Sequence, residues 1–187
     1  MTIPTSSNIK GEDSTASSDT NSVALLRPRV VLSAEHRFEI EDLYSAYANT
    51  LDEANYKGWC EFFVDDALYR IVPRENYARG LPIAIMHCES KGMIQDRAYA
   101  VEELNMVQPR QLRHFVSCLS IESAEGDHIK AGANFLVVQT LFEEMTQIVM
   151  AGRYVDEIVR KDGRLLFQSR HCVYDSALIP TSVVAPV

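Results

Sequence analysis

The sequence has 187 residues, 47% of them hydrophobic and 24% charged, with a formal net charge of −8. That length fits one domain plus a tail better than two domains, and the apolar share is enough for a proper core. The negative charge argues against nucleic acid or an anionic membrane surface as a partner, because both call for clustered Lys and Arg.

Residues 1–22 hold ten Ser or Thr and almost no large apolar residue. Such a stretch cannot bury enough surface to offset its ordering entropy. The expected organisation is a disordered polar tail over residues 1–30 and a single domain over 31–187. The domain opens on Ser33, an N-cap candidate, with Glu35 in the first turn to complement the helix dipole. Ile40, Leu43, Tyr44, Tyr47 and Leu51 then recur at helical spacing. A short second helix is predicted over 56–63, with Trp59, Phe62 and Phe63 turned inward. Asp65 and Asp66 are expected to break it, and Ala67 to Val72 reads as a strand ended by Pro73. Residues 74–82 read as a loop, and 89–104 as a third helix.

After Pro109 the pattern becomes that of strands, predicted over 113–123, 129–142, 147–160 and 164–176. Gly126-Asp127 and Asp162-Gly163 mark turns, the second a strong hairpin signal. Helices first and long antiparallel strands afterwards make an α+β architecture, with helices on one face of a sheet. In the third of these strands both faces are partly apolar: Ile148, Met150, Tyr154 and Ile158 on one, Val149, Ala151, Val155 and Val159 on the other. Helices cover only one side, so the other face curls into a barrel-like cone or meets another subunit.

The sequence lacks most of the usual signatures of chemistry. Its eight glycines are too dispersed for a phosphate-binding loop. The five histidines include no pair at the three-to-five spacing of a local metal site, which leaves only a triad assembled from distant strands. His87-Cys88 and His171-Cys172 are neighbours on predicted extended segments, where adjacent side chains point to opposite faces, so neither pair makes a nucleophilic dyad. The four cysteines, Cys60, Cys88, Cys118 and Cys172, are scattered. There is no leader pattern and no run of about 20 apolar residues, so a cytoplasmic protein with reduced thiols is expected. Thirteen Arg against five Lys favours bidentate ion pairs and protein contacts.

A more specific signal lies in particular runs of residues. Trp59-Cys60-Glu61-Phe62-Phe63-Val64-Asp65-Asp66-Ala67-Leu68-Tyr69 resembles the second helix and first strand of the nuclear-transport-factor-2-like, or cystatin-like, cone fold. Pro73-Arg74-Glu75-Asn76-Tyr77, Gly80-Leu81-Pro82, Glu89-Ser90-Lys91-Gly92-Met93, Asp96-Arg97, Pro109-Arg110 and Arg113-His114 follow. With Ala151-Gly152-Arg153-Tyr154-Val155-Asp156 and Cys172-Val173-Tyr174-Asp175-Ser176, the series resembles the small (beta) subunits of bacterial aromatic-ring-hydroxylating dioxygenases, the aromatic-acid type above all, over about residues 34–187.

That resemblance implies a strongly bent antiparallel sheet with N-terminal helices packed on its concave face. It also implies a structural, non-catalytic subunit of an NAD(P)H-dependent complex, with three small and three large subunits. No cofactor or metal is expected in this chain. The Rieske 2Fe-2S cluster and the mononuclear Fe(II) would belong to the large (alpha) subunit.

The same cone hosts small isomerases and dehydratases, and binding modules. For a stand-alone enzyme the candidates are Tyr47, Asp52, Tyr69, His87 and His171. For the subunit, Asp96, Arg97, Arg113 and His114 are the expected interface cluster, with Asp96 paired inside the chain to Arg113 or Arg97 and the remaining groups turned to a neighbour.

Overall fold

A computed structural model describes residues 30–104, 108–176, 178, 179 and 183–187. The expected tail over residues 1–30 lies outside the described residues, Val30 excepted. The first helix, α1 (Ala34–Asp52), starts as its sequence dictates: the Ser33 hydroxyl accepts the His36 N–H at 3.2 Å. Its apolar stripe of Ile40, Leu43, Tyr44, Tyr47, Ala48 and Leu51 is buried. A single turn, α2 (Tyr56–Trp59), runs into a 3-10 turn at Cys60–Phe62 and seats Trp59 in the core.

Asp65 and Asp66 do not end an element. They lie exposed within β1 (Phe63–Pro73), where the register to its neighbour shifts between Phe63 and Leu68. A bulge of this kind lets two charged residues sit in a buried strand. Residues 74–78, expected in a loop, form α3 (Arg74–Ala78), with Pro73 fixing the extended entry. A short β2 (Met86–Cys88) follows, then α4 (Lys91–Tyr99), capped by Ser90 and continued by a π turn at Ala100–Leu104.

Four long strands then meander: β3 (Arg110–Glu125), β4 (His128–Leu141), β5 (Gln147–Lys161) and β6 (Arg164–Tyr174). Asp162 and Gly163 both have positive φ, as a two-residue type I′ hairpin requires. The sheet order is β2-β1-β6-β5-β4-β3. It is antiparallel except between its second and third strands, where β1 and β6 run parallel. The expected wholly antiparallel sheet is corrected at that pair. An odd number of reversals after β3 leaves β6 in the direction of β1, and the crossover through α3, β2 and α4 is long enough to permit it.

The core fills the concave side, under α1 and the Trp59 turn. The sequence placed Ile148 on the same face as Met150. A register shift between Val137 and Val138 separates them: Met150 lies opposite Val137 and is buried, whereas Ile148 lies opposite Val138 and is exposed.

Candidate functional site

Two charged residues occupy the centre of the apolar interior. Asp156 on β5 and Arg170 on β6 stand directly opposite in register and both point inward. The guanidinium grips the carboxylate with two bonds, Nε to Oδ1 at 3.1 Å and Nη2 to Oδ2 at 2.9 Å. Tyr44 of α1 donates its hydroxyl to Oδ2 at 2.5 Å. The Arg170 guanidinium lies 3.9–4.0 Å from the ring centroids of Phe167, Tyr47 and Tyr154, and 4.9 Å from that of Tyr44. Burial opposes the Arg170 charge, but the Asp156 carboxylate overcomes it and holds the group well above its ordinary range. Burial, then Asp156, pushes the Tyr44 phenol well up. Neither Arg170 nor Tyr44 is poised to exchange a proton near neutrality.

Beside this pair the interior is occupied by the chain itself. The Val187 N–H donates to the Tyr69 hydroxyl at 2.8 Å. Its main-chain oxygen accepts from Tyr47 Oη at 2.8 Å, Tyr69 Oη at 3.1 Å and Cys172 Sγ at 3.3 Å. Trp59 Nε1 donates to the Tyr47 hydroxyl at 3.0 Å, which fixes that ring. Burial raises both phenols and pushes the Cys172 thiol up to about 12.

The other residues of the stand-alone enzyme reading do not join Tyr47 and Tyr69. His87 and His171 flank Arg70 in one row across β2, β1 and β6, pointing away from the face that carries Tyr69 and Cys172. His87 is 3.5 Å from Glu89, and the His171 ring packs against Tyr77 at 5.5 Å. Burial, with Arg70 beside it, lowers the His171 pKa. Asp52 ends α1 and is spent on β3: one carboxylate oxygen accepts the His114 main-chain N–H at 3.0 Å and meets His114 Nδ1 at 2.7 Å. Asp52, His87 and His171 therefore do not converge with Tyr47 and Tyr69 on one point. Among the described residues no three His, Cys, Asp or Glu side chains could hold a metal ion.

The family model for the SnoaL-like domain matches residues 33–171. The chain is 33% identical over 150 residues to the anthranilate 1,2-dioxygenase small subunit of Burkholderia cepacia, covering 80% of this chain and 93% of that one. It belongs to the family of aromatic-ring dioxygenase small subunits. Subunit beta 1 of the terminal oxygenase component of a Comamonas terephthalate 1,2-dioxygenase is 30% identical over 152 residues, 81% of this chain and 99% of that one. A crystal structure described as the beta subunit of an aromatic-ring-hydroxylating dioxygenase from Novosphingobium aromaticivorans superposes with a TM-score of 0.75 at 37% identity, covering 82% of this chain and 97% of that one.

The four residues expected at an interface divide into two pairs. Arg113 and His114 come together on Asp52, with Arg113 Nη1 3.5 Å from Oδ2. The His114 side chain is sealed from solvent against Asp52 of α1, whereas Arg113 is 65% exposed. Asp96 and Arg97 lie on α4, Asp96 exposed and Arg97 half-buried. Among the described residues no ion pair joins Asp96 to Arg113 or Arg97, which corrects the expected pairing. The cause is topological: α4 packs on β1 and β2, at the opposite edge of the sheet from β3.

Sequence reasoning missed Asp156–Arg170 and the seat of Val187. A charge in phase with Tyr154 and Ile158 on one strand, and another in phase with Cys172 on a second, was the available signal for the first. Nothing local marked the second.

The outward face of the meander carries an apolar patch near the β4–β5 turn. Phe115 lies opposite Leu136, and Val138 lies opposite both Arg113 and Ile148. Phe115 is 58% and Ile148 62% exposed, and Phe142 and Met145 stand out on the adjoining β4–β5 turn.

Proposed function

We propose that this chain is the structural, non-catalytic small subunit of an aromatic-ring-hydroxylating dioxygenase. It holds a large subunit that carries the Rieske cluster and the mononuclear iron, three small subunits with three large ones, in the cytoplasm. The observation that carries this reading is the apolar patch of exposed Phe115 and Ile148 around half-buried Leu136 and Val138, on a fold whose interior is already filled. Such a patch is expensive to leave in water, and rimmed by Arg113 it has the make-up of a protein interface. We place trimer contacts on this face, with Arg113 at its rim. Asp96 and Arg97, on α4 at the far edge of the sheet, are proposed to face a different neighbour.

The experiment is light scattering of the purified chain alone and co-expressed with its large subunit, for wild type and for the double variant Phe115→Asp, Ile148→Asp. Wild type is expected as a trimer alone and as a larger complex with the partner; the variant is expected to remain a folded monomer. A wild-type monomer at micromolar concentration that also ignores the large subunit contradicts the proposal.

A further inference from the structure

The three side chains that hold Val187 come from three separate elements: Tyr47 from α1, Tyr69 from β1 and Cys172 from β6. Together they satisfy both main-chain groups of one residue, the N–H and the oxygen, with four hydrogen bonds. Residues 183–187 belong to no strand, so side chains, not a ladder, hold the Val187 main chain. This is how a pocket grips a peptide, and it differs from strand addition, where main chain pairs with main chain. Val187 is itself buried and packs within the core cluster, and Val183 packs against its border. If the segment left, the buried Tyr47 and Tyr69 hydroxyls would lose their acceptor and the Cys172 thiol would keep only the longer contact to Tyr69 Oη at 3.7 Å, so the site is completed by its occupant.

We infer that the interior of the cone is a recognition site for peptide main chain, and that the segment 183–187 is its ligand, carried on the same chain. The ligand class is a short apolar peptide that offers one residue's N–H and oxygen together, with a small branched side chain to fill the aromatic surroundings. The site is independent of the assembly face, which lies on the other side of the sheet.

The test uses the full chain carrying Val187→Asp, which sets a charge in the seat, and a small maleimide that alkylates whichever thiols become accessible. Mass spectrometry then locates the label. Cys60, Cys88 and Cys172 are all buried in the folded chain and Cys118 is exposed, so each variant carries its own controls. The expected result is that Cys172 labels about tenfold faster or more, equivalent to about 1.4 kcal/mol in the free energy of opening, while Cys60 and Cys88 stay protected. Adding the free peptide Val-Val-Ala-Pro-Val is expected to restore protection of Cys172, and to do so less well when Tyr69→Phe is also present. If the variant does not fold alone, the peptide is expected to rescue its refolding. Unchanged labelling of Cys172, labelling of all three buried thiols together, or a peptide that neither protects nor rescues overturns the inference.

Discussion

Arg170 and Asp156 face each other across β6 and β5 as a two-pronged ion pair sealed from solvent, with the Tyr44 hydroxyl closing the carboxylate's remaining side. Taking two charges out of water is costly, and only the bidentate geometry and the ring of aromatic faces offset it. Removing one partner strands the other. Asp156→Ala is expected to lower stability by about 3–5 kcal/mol, whereas the double variant Asp156→Leu, Arg170→Met is expected to recover much of that loss. Denaturant melts of the two variants check this; equal losses would show that the charges are worth more than their burial costs.

Gly152 carries a second constraint. A Cβ there would lie 2.1 Å from the Val173 main-chain oxygen and 2.8 Å from the Cα of Tyr174, which lies opposite Gly152 in register. Backbone cannot swing aside as a side-chain tip can. Gly152→Ala is expected to cost about 1–3 kcal/mol in a thermal melt. Gly92, near the start of α4, is the control, because a Cβ there would meet nothing nearer than Ser90 Oγ at 3.6 Å: Gly92→Ala is expected to be neutral or slightly stabilising.

Much of this fold is legible in the sequence. The Ser33 cap, the α1 stripe and the Asp162-Gly163 hairpin are local signals, and the structure places them where the residues predict. The parallel β1–β6 pair and the outward turn of Ile148 are not local. One depends on which strands meet after a long crossover, the other on a single extra residue that resets a period of two. The same distinction explains the site. Arg113 and His114 read as part of an interface cluster, and only the packing of α1 on β3 reveals that Asp52 claims the histidine.

Asp52 therefore makes a prediction of its own. Asp52→Ala removes the partner of the His114 main-chain N–H and of its buried ring, and is expected to cost about 1–3 kcal/mol. Arg113→Ala, which loses only an exposed contact, is expected to cost less than about 0.5 kcal/mol in the isolated fold while weakening the assembled complex. Thermal melts with gel filtration separate the two effects.

Glu39 and Arg160 provide a pH dependence. Arg160 donates to both Glu39 oxygens at 2.6 Å, and these hydrogen bonds hold the Glu39 carboxyl below the ordinary value of 4.5. A carboxyl with a lowered folded-state pKa stabilises the fold above its unfolded value, and that contribution is lost as pH falls through the folded one. Both side chains keep about a third of their surface in water, so the pair is worth about 0.5–1 kcal/mol. Wild type is expected to exceed Glu39→Gln by that margin near neutrality, with the gap closing in acid below pH 4.5. A gap constant down to strongly acid pH contradicts the assignment.

The central claim is that this chain assembles the dioxygenase and performs none of its chemistry. Its most direct test is turnover by the complete complex carrying Tyr44→Phe, Asp52→Asn, His87→Ala or His171→Ala in the small subunit. The subunit role requires that each complex which still assembles keeps kcat within about twofold of wild type, far from the hundredfold or more that loss of an acid–base residue costs. A fall of about a hundredfold in an intact, iron-loaded complex would place chemistry in this chain and contradict the account.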